Sequence, residues 1–155
     1  MLKIIKYLTV IFILVSLQGC VRLIMPTSDT ELMARSINGG INTTIDINYI
    51  QAYSNLKDAY NKCVAFQQGM EYLLINSNLD REKGVATFYG ELPWGAYMFK
   101  TTLEPVGENL TKLTYYGLKT VLLTKNANQK LLYNRLELDK NRALGLDKKC
   151  NSSYK

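Results

Sequence analysis

Histidine is absent from the 155 residues, and cysteine, proline and tryptophan are scarce, with three, three and one. Without histidine the chain can form no Ser-His-Asp or Cys-His constellation, and it has no HExxH zinc motif. The usual general base at neutral pH is missing for the same reason. The glycine-rich motifs that bind phosphates and dinucleotides do not occur either. An enzyme built on this chain would have to use carboxylates, lysine or tyrosine.

Long runs of one charge are also missing. The chain has nineteen basic and thirteen acidic side chains, but no Lys/Arg-rich run of five or more. Nucleic-acid-binding domains concentrate positive charge in a patch or stripe, and here the lysines are scattered. We therefore predict no nucleic-acid partner. A mildly basic surface still permits attraction to anionic lipid or to an acidic partner protein.

The only long apolar run lies at the amino end. Lys3 and Lys6 precede residues 7–17, which are apolar except for Thr9 and Ser16. A membrane-spanning helix needs about twenty apolar residues, so this run of about eleven is too short. A basic start, a short apolar run and a small-residue end are typical of a secretory signal peptide. An ordinary signal peptide or a short anchor with an incidental cysteine is the alternative.

The end of this run, Leu17-Gln18-Gly19-Cys20, resembles the lipobox of bacterial lipoproteins. The resemblance implies that the signal is cut before Cys20 and that this cysteine carries lipid. Val21 follows Cys20 in place of the Asp that tends to keep lipoproteins at the inner membrane. The resemblance therefore implies an anchor on the periplasmic side of the outer membrane. The membrane would be one partner, reached through the lipid anchor, and an envelope protein another.

With Cys20 assigned to lipid, two cysteines remain in a compartment predicted to be oxidising. A disulfide between Cys63 and Cys150 is the natural interpretation, and it would close a loop of about 86 residues. Two unpaired buried thiols are the alternative. A metal site is disfavoured, because two separated cysteines without histidine supply too few soft ligands. We expect no cofactor.

The mature chain is the size of one domain. Removing residues 1–19 as signal peptide leaves 136 residues, with seventeen basic and thirteen acidic side chains. Residues 20–40 contain Pro26, a polar cluster and Gly39-Gly40, which predict a lipidated tether with a brief helix from Ser28 to Arg35. The globular domain is expected over residues 41–155.

Apolar periodicity predicts the elements of this domain. Alternation over residues 41–48 predicts a strand, and three-and-four spacing from Asn48 to Phe66 predicts a helix stopped by Gly69. Turn signals separate four further strands, and a second helix is expected from Asn126 to Gly145. The further strands are predicted at 70–77, 85–92, 96–106 and 110–118.

The order strand, helix, four-strand meander, helix predicts an α+β domain whose antiparallel sheet carries both helices on one face. Pro105 is expected at a strand terminus or an edge, because proline cannot donate to a sheet ladder. In element order alone the domain loosely resembles a reduced helix-grip fold, of the kind found in lipid-transfer and cyclase-like domains.

One stretch, residues 88–99, offers a candidate binding or catalytic site. Glu91 lies there among Tyr89, Trp94 and Tyr97. A carboxylate buried beside aromatic rings can act as a general acid on a glycosidic bond. The simpler interpretation is a β-turn over residues 92–95 with Glu91 solvated at a strand end and Trp94 available for binding.

These observations favour a non-enzymatic lipoprotein of the cell envelope that acts as an interaction or assembly-support module. The alternative is a carrier of a small ligand or lipid, which would require a cavity of a few hundred Å³ between the sheet and the second helix. A glycan-acting enzyme using Glu91 is a third hypothesis.

Overall fold

Three helices and six strands follow one another in an α+β order. The structure, a computed structural model, describes residues 25–68, 71–119, 123–147 and 150. In chain order the elements are helix α1 (Asp29–Arg35), a 3-10 turn (Ile37–Gly39), β1 (Ile41–Ile45), helix α2 (Tyr49–Cys63), β2 (Phe66–Gln68), β3 (Glu71–Asp80), β4 (Val85–Glu91), β5 (Tyr97–Gly107), β6 (Leu110–Gly117) and helix α3 (Lys125–Ala143). The predicted fold class is confirmed.

The sheet is antiparallel throughout, in the order β1-β6-β5-β4-β3-β2. Strands β3 to β6 form the predicted meander, because short turns join neighbouring strands. Strand β1 pairs with β6, so β5 is central and β1 lies at one edge. The short strand β2 extends the other edge beside the start of β3.

Helices α2 and α3 pack on one face of the sheet, as predicted. The shared core holds side chains from both helices and from the inward positions of the strands, which alternate with outward ones. Its largest members are Leu56, Tyr60, Phe88, Phe99, Leu103, Leu113, Tyr115, Leu132 and Leu136, all at most 8% exposed. This face therefore forms the main core of the molecule.

Helix α1 lies on the opposite face of the sheet. Lys100 on β5 points away from the main core, since its neighbour Thr101 contacts Tyr60 of α2, and it makes an ion pair with Asp29 of α1. Leu32 is fully buried and Ile37 nearly so. The second half of the predicted tether therefore packs on the domain, because its apolar side chains find buried positions there.

The first turn of α1 follows the sequence prediction closely. The Ser28 hydroxyl accepts a hydrogen bond from the Glu31 N–H, and the Glu31 carboxylate accepts one from the Thr27 N–H. The first bond satisfies an amide that a helix start leaves without a partner inside the helix, and the second ties the residue before the cap to the first turn.

Helix α2 begins where predicted but ends earlier. Asn48 is its N-cap, accepting from the Ile50 N–H, whereas the helix stops at Cys63 instead of near Gly69. Phe66, which continues the apolar spacing, instead pairs with Leu73 as a strand residue. Helical periodicity cannot distinguish these outcomes, because a sheet edge competes for the same backbone groups.

Helix α3 begins one residue before the predicted start. Thr124 is the N-cap and accepts a hydrogen bond from the Ala127 N–H, so Asn126 lies inside the first turn. Pro105 lies near the end of the central strand β5, where the register with β6 shifts. The strand end satisfies the expectation for proline without requiring an edge strand.

Candidate functional site

The predicted residues Tyr89, Glu91 and Trp94 lie close in sequence and make different contacts in the structure. A tight turn over residues 92–95 is closed by the Gly95 N–H, which donates to the Leu92 carbonyl at 2.9 Å. Gly95 has a φ of 77°, a backbone conformation that residues with a Cβ rarely adopt. This turn leaves the Trp94 side chain 51% exposed.

Glu91 has a polar environment. It is half-buried at the end of β4, and its Oε2 accepts a hydrogen bond from Asn76 Nδ2 at 2.7 Å. A general acid of the predicted kind depends on an apolar pocket that disfavours the ionised carboxylate. The environment of Glu91 therefore lacks the feature on which the glycan hypothesis depends.

Tyr89 belongs to a different group of residues, on the α1 side of the sheet. Its hydroxyl donates to Asp29 Oδ2 at 3.3 Å, and burial together with the Asp29 charge raises the pKa of Tyr89 to about 12. Lys100 Nζ donates to the same oxygen at 2.8 Å and lies 5.6 Å from the ring centroids of Tyr89 and Tyr116. We call Asp29, Tyr89, Lys100 and Tyr116 the basic-aromatic cluster.

This cluster joins α1 to the sheet. Tyr89, Lys100 and Tyr116 are direct cross-strand partners on β4, β5 and β6, so the three side chains share one face. Lys100 is only 8% exposed and sits between two ring faces, an arrangement that attracts a cation. Sequence reasoning missed the cluster, although a lysine inside a central strand was an available signal.

A second polar group lies buried between the sheet and the two long helices. The hydroxyls of Tyr60 and Thr101 are 2.8 Å apart and both bond to Asp139 Oδ2, Thr101 at 3.1 Å. Arg142 contacts Asp139 Oδ1 at 3.5 Å and donates from Nε to Asp147 Oδ2 at 3.2 Å. These five residues, the buried polar network, connect α2, β5, α3 and the segment that follows α3.

The pKa values in this network shift because water is excluded. Burial raises the pKa of Asp139 above its ordinary value, opposed by the Tyr60 hydroxyl and the Arg142 charge. Burial, and then the Asp139 charge, raise the pKa of Tyr60 as well. Each polar member has a bonded partner, as buried polar groups require. The network therefore cross-links the fold.

Core side chains of the described residues pack between the sheet and α3, where the carrier hypothesis predicted a cavity. Two cavities lie elsewhere in the described part of the chain. One, of about 340 Å³, lies between α2 and the segment after α3 and is lined by Asn55, Lys62 and Asp147 among others. The second, of about 550 Å³, lies at the β2 edge of the sheet.

We call this second cavity the edge pocket. It is lined by Ala65, Phe66, Tyr72, Leu73 and Leu74. Phe66 is 50% exposed and Leu74 48%. Its volume lies within the range of about 300 to 1,000 Å³ that is usual for ligand pockets. The edge pocket can therefore accept an apolar group.

The cysteines lie in two places. The structure joins Cys63, at the end of α2, to Cys150 by a disulfide with the Cα atoms 5.3 Å apart. That distance lies within the range of about 4.4 to 6.8 Å usual for disulfides. Cys20, the predicted lipid site, lies outside the described residues.

Two features are absent from the described residues. These residues contain no group of three or more Cys, Asp or Glu side chains arranged to hold a metal ion. None of their helices is long and apolar enough to cross a membrane.

No protein-family model and no curated protein matches the chain. Among solved structures the chain is similar to the Zhui aromatase/cyclase from Streptomyces sp. R1128, with 12% identity and a TM-score of 0.38. The match covers 68% of this chain and 90% of that one. Because that protein is an enzyme, the prediction of a non-enzymatic protein is corrected. A likeness this low assigns no activity to this chain.

Proposed function

We propose that the protein is a lipid-anchored domain of the cell envelope that binds a small apolar ligand, of the size and character of a lipid chain. The observation that carries the binding proposal is the edge pocket, with its volume of about 550 Å³ and its apolar lining. The lipobox-like run that ends at Cys20 supports the anchor, and Val21 supports the outer membrane as its location.

The chemistry of the edge pocket favours an apolar ligand. Of the five described lining residues, four are aliphatic or aromatic without a polar atom in the side chain, and the fifth, Tyr72, has a hydroxyl. Burying a leucine or phenylalanine side chain contributes about 1.5 to 3 kcal/mol, so covering the exposed Phe66 and Leu74 favours binding. Among the described lining residues, no side chain carries a charge that would pair with a charged ligand.

Ligand binding can be tested by displacing a fluorescent fatty acid from the purified protein with unlabelled palmitate. We expect Leu74→Asp to weaken binding about tenfold or more, because the carboxylate places a charge on the pocket wall. Leu131→Asp is the matched control, since Leu131 is similarly exposed, at 44%, on α3. Equal affinity in the two variants would contradict the proposed pocket.

The anchor needs a separate test. Cys20→Ala should abolish palmitate labelling and membrane retention, because no acyl chain would then hold the protein. Retention of this variant in membranes after an alkaline wash would contradict the lipid anchor. In a host with two membranes, Val21→Asp should move the protein toward the inner membrane in a density gradient. An unchanged position would contradict the outer-membrane location.

A specific observation also supports binding to an envelope protein. Strand β2 pairs only with residues 71–73 of β3, so residues 74–80 have no strand on their outer side within the described chain. Open strand edges accept an added strand from another chain. A photocrosslinker at Asn78, an exposed residue of this edge, should then capture a partner that the same group at Tyr133 of α3 does not. Equal capture at both positions would contradict edge pairing.

A further inference from the structure

Trp94, the only tryptophan of the chain, is exposed on a turn whose position in the fold is informative. Strand β5 starts after this turn, at Tyr97, and ends at Gly107. Ten residue steps along a strand span about 33 Å. The turn therefore lies at one end of the sheet, and the turn after Gly107 lies at the other.

The chain enters the fold at the Trp94 end. The Tyr97 N–H donates to the Pro26 carbonyl at 2.9 Å, and Pro26 is buried there. Six residue steps separate Pro26 from Cys20, which limits their separation to about 21 Å even if fully extended. A lipid on Cys20 therefore holds the Trp94 end, rather than the Gly107 end, close to the membrane.

Exposed apolar side chains are present at this same end. Leu74 pairs with Glu91, three residues before Trp94, and Phe66 pairs with Leu73 on the adjoining hairpin. Trp94, Phe66 and Leu74 are each about half exposed. The edge pocket opens among the last two. Tryptophan is enriched at membrane interfaces, where its ring meets both apolar chains and headgroups.

The two ends of the sheet also differ in their charged residues. Two lysines lie at the Trp94 end, Lys119 after β6 and Lys125 at the start of α3, with two glutamates, Glu71 at the start of β3 and Glu91 at the end of β4. The three turns of the far end, over residues 46–48, 80–84 and 107–110, carry four carboxylates and two cations. Anionic lipid attracts the first end more than the second.

We infer that the Trp94 end of the domain rests on the lipid surface, with Trp94 in the headgroup region and the edge pocket opening toward the bilayer. The inference rests on the proposed lipid at Cys20. It names a lipid surface as the partner of the Trp94 turn, and it explains why a half-exposed tryptophan stands there. It also gives the pocket a direct source of apolar ligand.

The single tryptophan allows a direct test with the full-length lipidated protein. The protein is placed in vesicles of phosphatidylethanolamine and phosphatidylglycerol, with or without phosphatidylcholine brominated in its acyl chains. We expect bromine to reduce the Trp94 emission by about twofold, since the ring would lie at the interface. A far-end reporter, Trp94→Phe with Val106→Trp, should be unaffected, because Val106 is equally exposed, at 52%, near Gly107.

The outcomes separate the inference from the proposed function. Unchanged Trp94 emission in protein whose lipid is verified by mass spectrometry would overturn the inference and leave the anchor in place. Equal quenching of the two reporters would also overturn it. Absence of lipid on Cys20 would overturn the anchor and the inference together. Far-UV circular dichroism of the double variant verifies that the reporter protein is folded.

Discussion

At the scale of the residue, the most constrained side chains belong to the buried polar network. Asp139 is 3% exposed and Arg142 2%, yet both are charged groups in a small domain. Burying a charge has a high desolvation cost, which interactions with close partners must offset. Tyr60, Thr101 and Arg142 supply those partners for Asp139 from three different elements. Each member therefore depends on the others being in place.

Tyr60→Phe tests this dependence. The substitution removes one hydroxyl donor from Asp139 while keeping the ring that packs on Phe88 and Phe99. We expect the free energy of unfolding to fall by about 1 to 3 kcal/mol, measured by urea denaturation, because a buried acceptor loses a partner. Tyr133→Phe on α3 is the control, since Tyr133 is 50% exposed. A loss no larger than the control loss would contradict the role of the hydroxyl.

The pH dependence of stability carries a second residue-scale prediction. Burial raises the pKa of Asp139 in the folded protein above its ordinary value of 3.8. The folded state then binds this proton more tightly, so the stability that this carboxyl contributes is full below that ordinary pKa and is lost as pH rises through the raised pKa. The free energy of unfolding of the wild type, minus that of Asp139→Asn, should therefore fall with rising pH. A difference that rises would show that the Arg142 pairing dominates.

At the scale of the element, caps decide where the helices begin. Asn48, predicted as a cap, does cap α2, but Thr124 rather than Asn126 caps α3. Only Asn126 was predicted as the start of α3, although Thr124 is also a polar residue of a kind found at helix starts. The choice depends on the path of the chain from β6, which fixes the residue whose hydroxyl faces the first free amides.

Thr124→Ala and Asn126→Ala distinguish the two possibilities. Thr124→Ala should lower the free energy of unfolding by about 0.5 to 2 kcal/mol, because the Ala127 N–H loses its acceptor. Asn126→Ala should cost less, since Asn126 is exposed inside the helix, where alanine is favoured. Thermal or urea unfolding of the two variants gives the comparison, and the reverse order would contradict the assigned cap.

At the scale of the whole molecule, the disulfide and the basic-aromatic cluster hold the two ends of the chain on the domain. The disulfide joins Cys150 to the end of α2, and Lys100 holds α1 on the opposite face. The bridge spans 87 residues of sequence, so it restricts the unfolded chain strongly. The ion pair between Lys100 and Asp29 also joins residues that are far apart in sequence, but by a weaker interaction.

Cys63→Ala tests the contribution of the disulfide. We expect the free energy of unfolding to fall by about 2 to 5 kcal/mol, because the unfolded chain regains its freedom. The double variant Cys63→Ala with Cys150→Ala should lose about as much, which separates the bond from the side chains. Exported wild-type protein alkylated without reduction should show neither thiol modified. Free alkylation of both would contradict the bridge.

The sequence by itself determined the fold class and the order of the main helices and strands. Alternating and helical periodicities placed the meander, both long helices and the N-caps of α1 and α2, because those signals depend on neighbours a few residues away. The contacts of the candidate site residues did not follow from these patterns. Tyr89, Glu91 and Trp94 are neighbours in sequence, but their contacts differ, since Tyr89 bonds to Asp29 of α1, Glu91 bonds to Asn76 of β3, and Trp94 lies on a turn.

Only the tertiary structure decided what those residues meet. Sheet register put Tyr89, Lys100 and Tyr116 side by side, and helix packing brought Tyr60, Thr101 and Asp139 together from elements far apart in sequence. The same packing placed core side chains where a carrier cavity was expected, and a pocket lies at the sheet edge. Contacts across the sheet depend on register and layer packing, which no local pattern encodes.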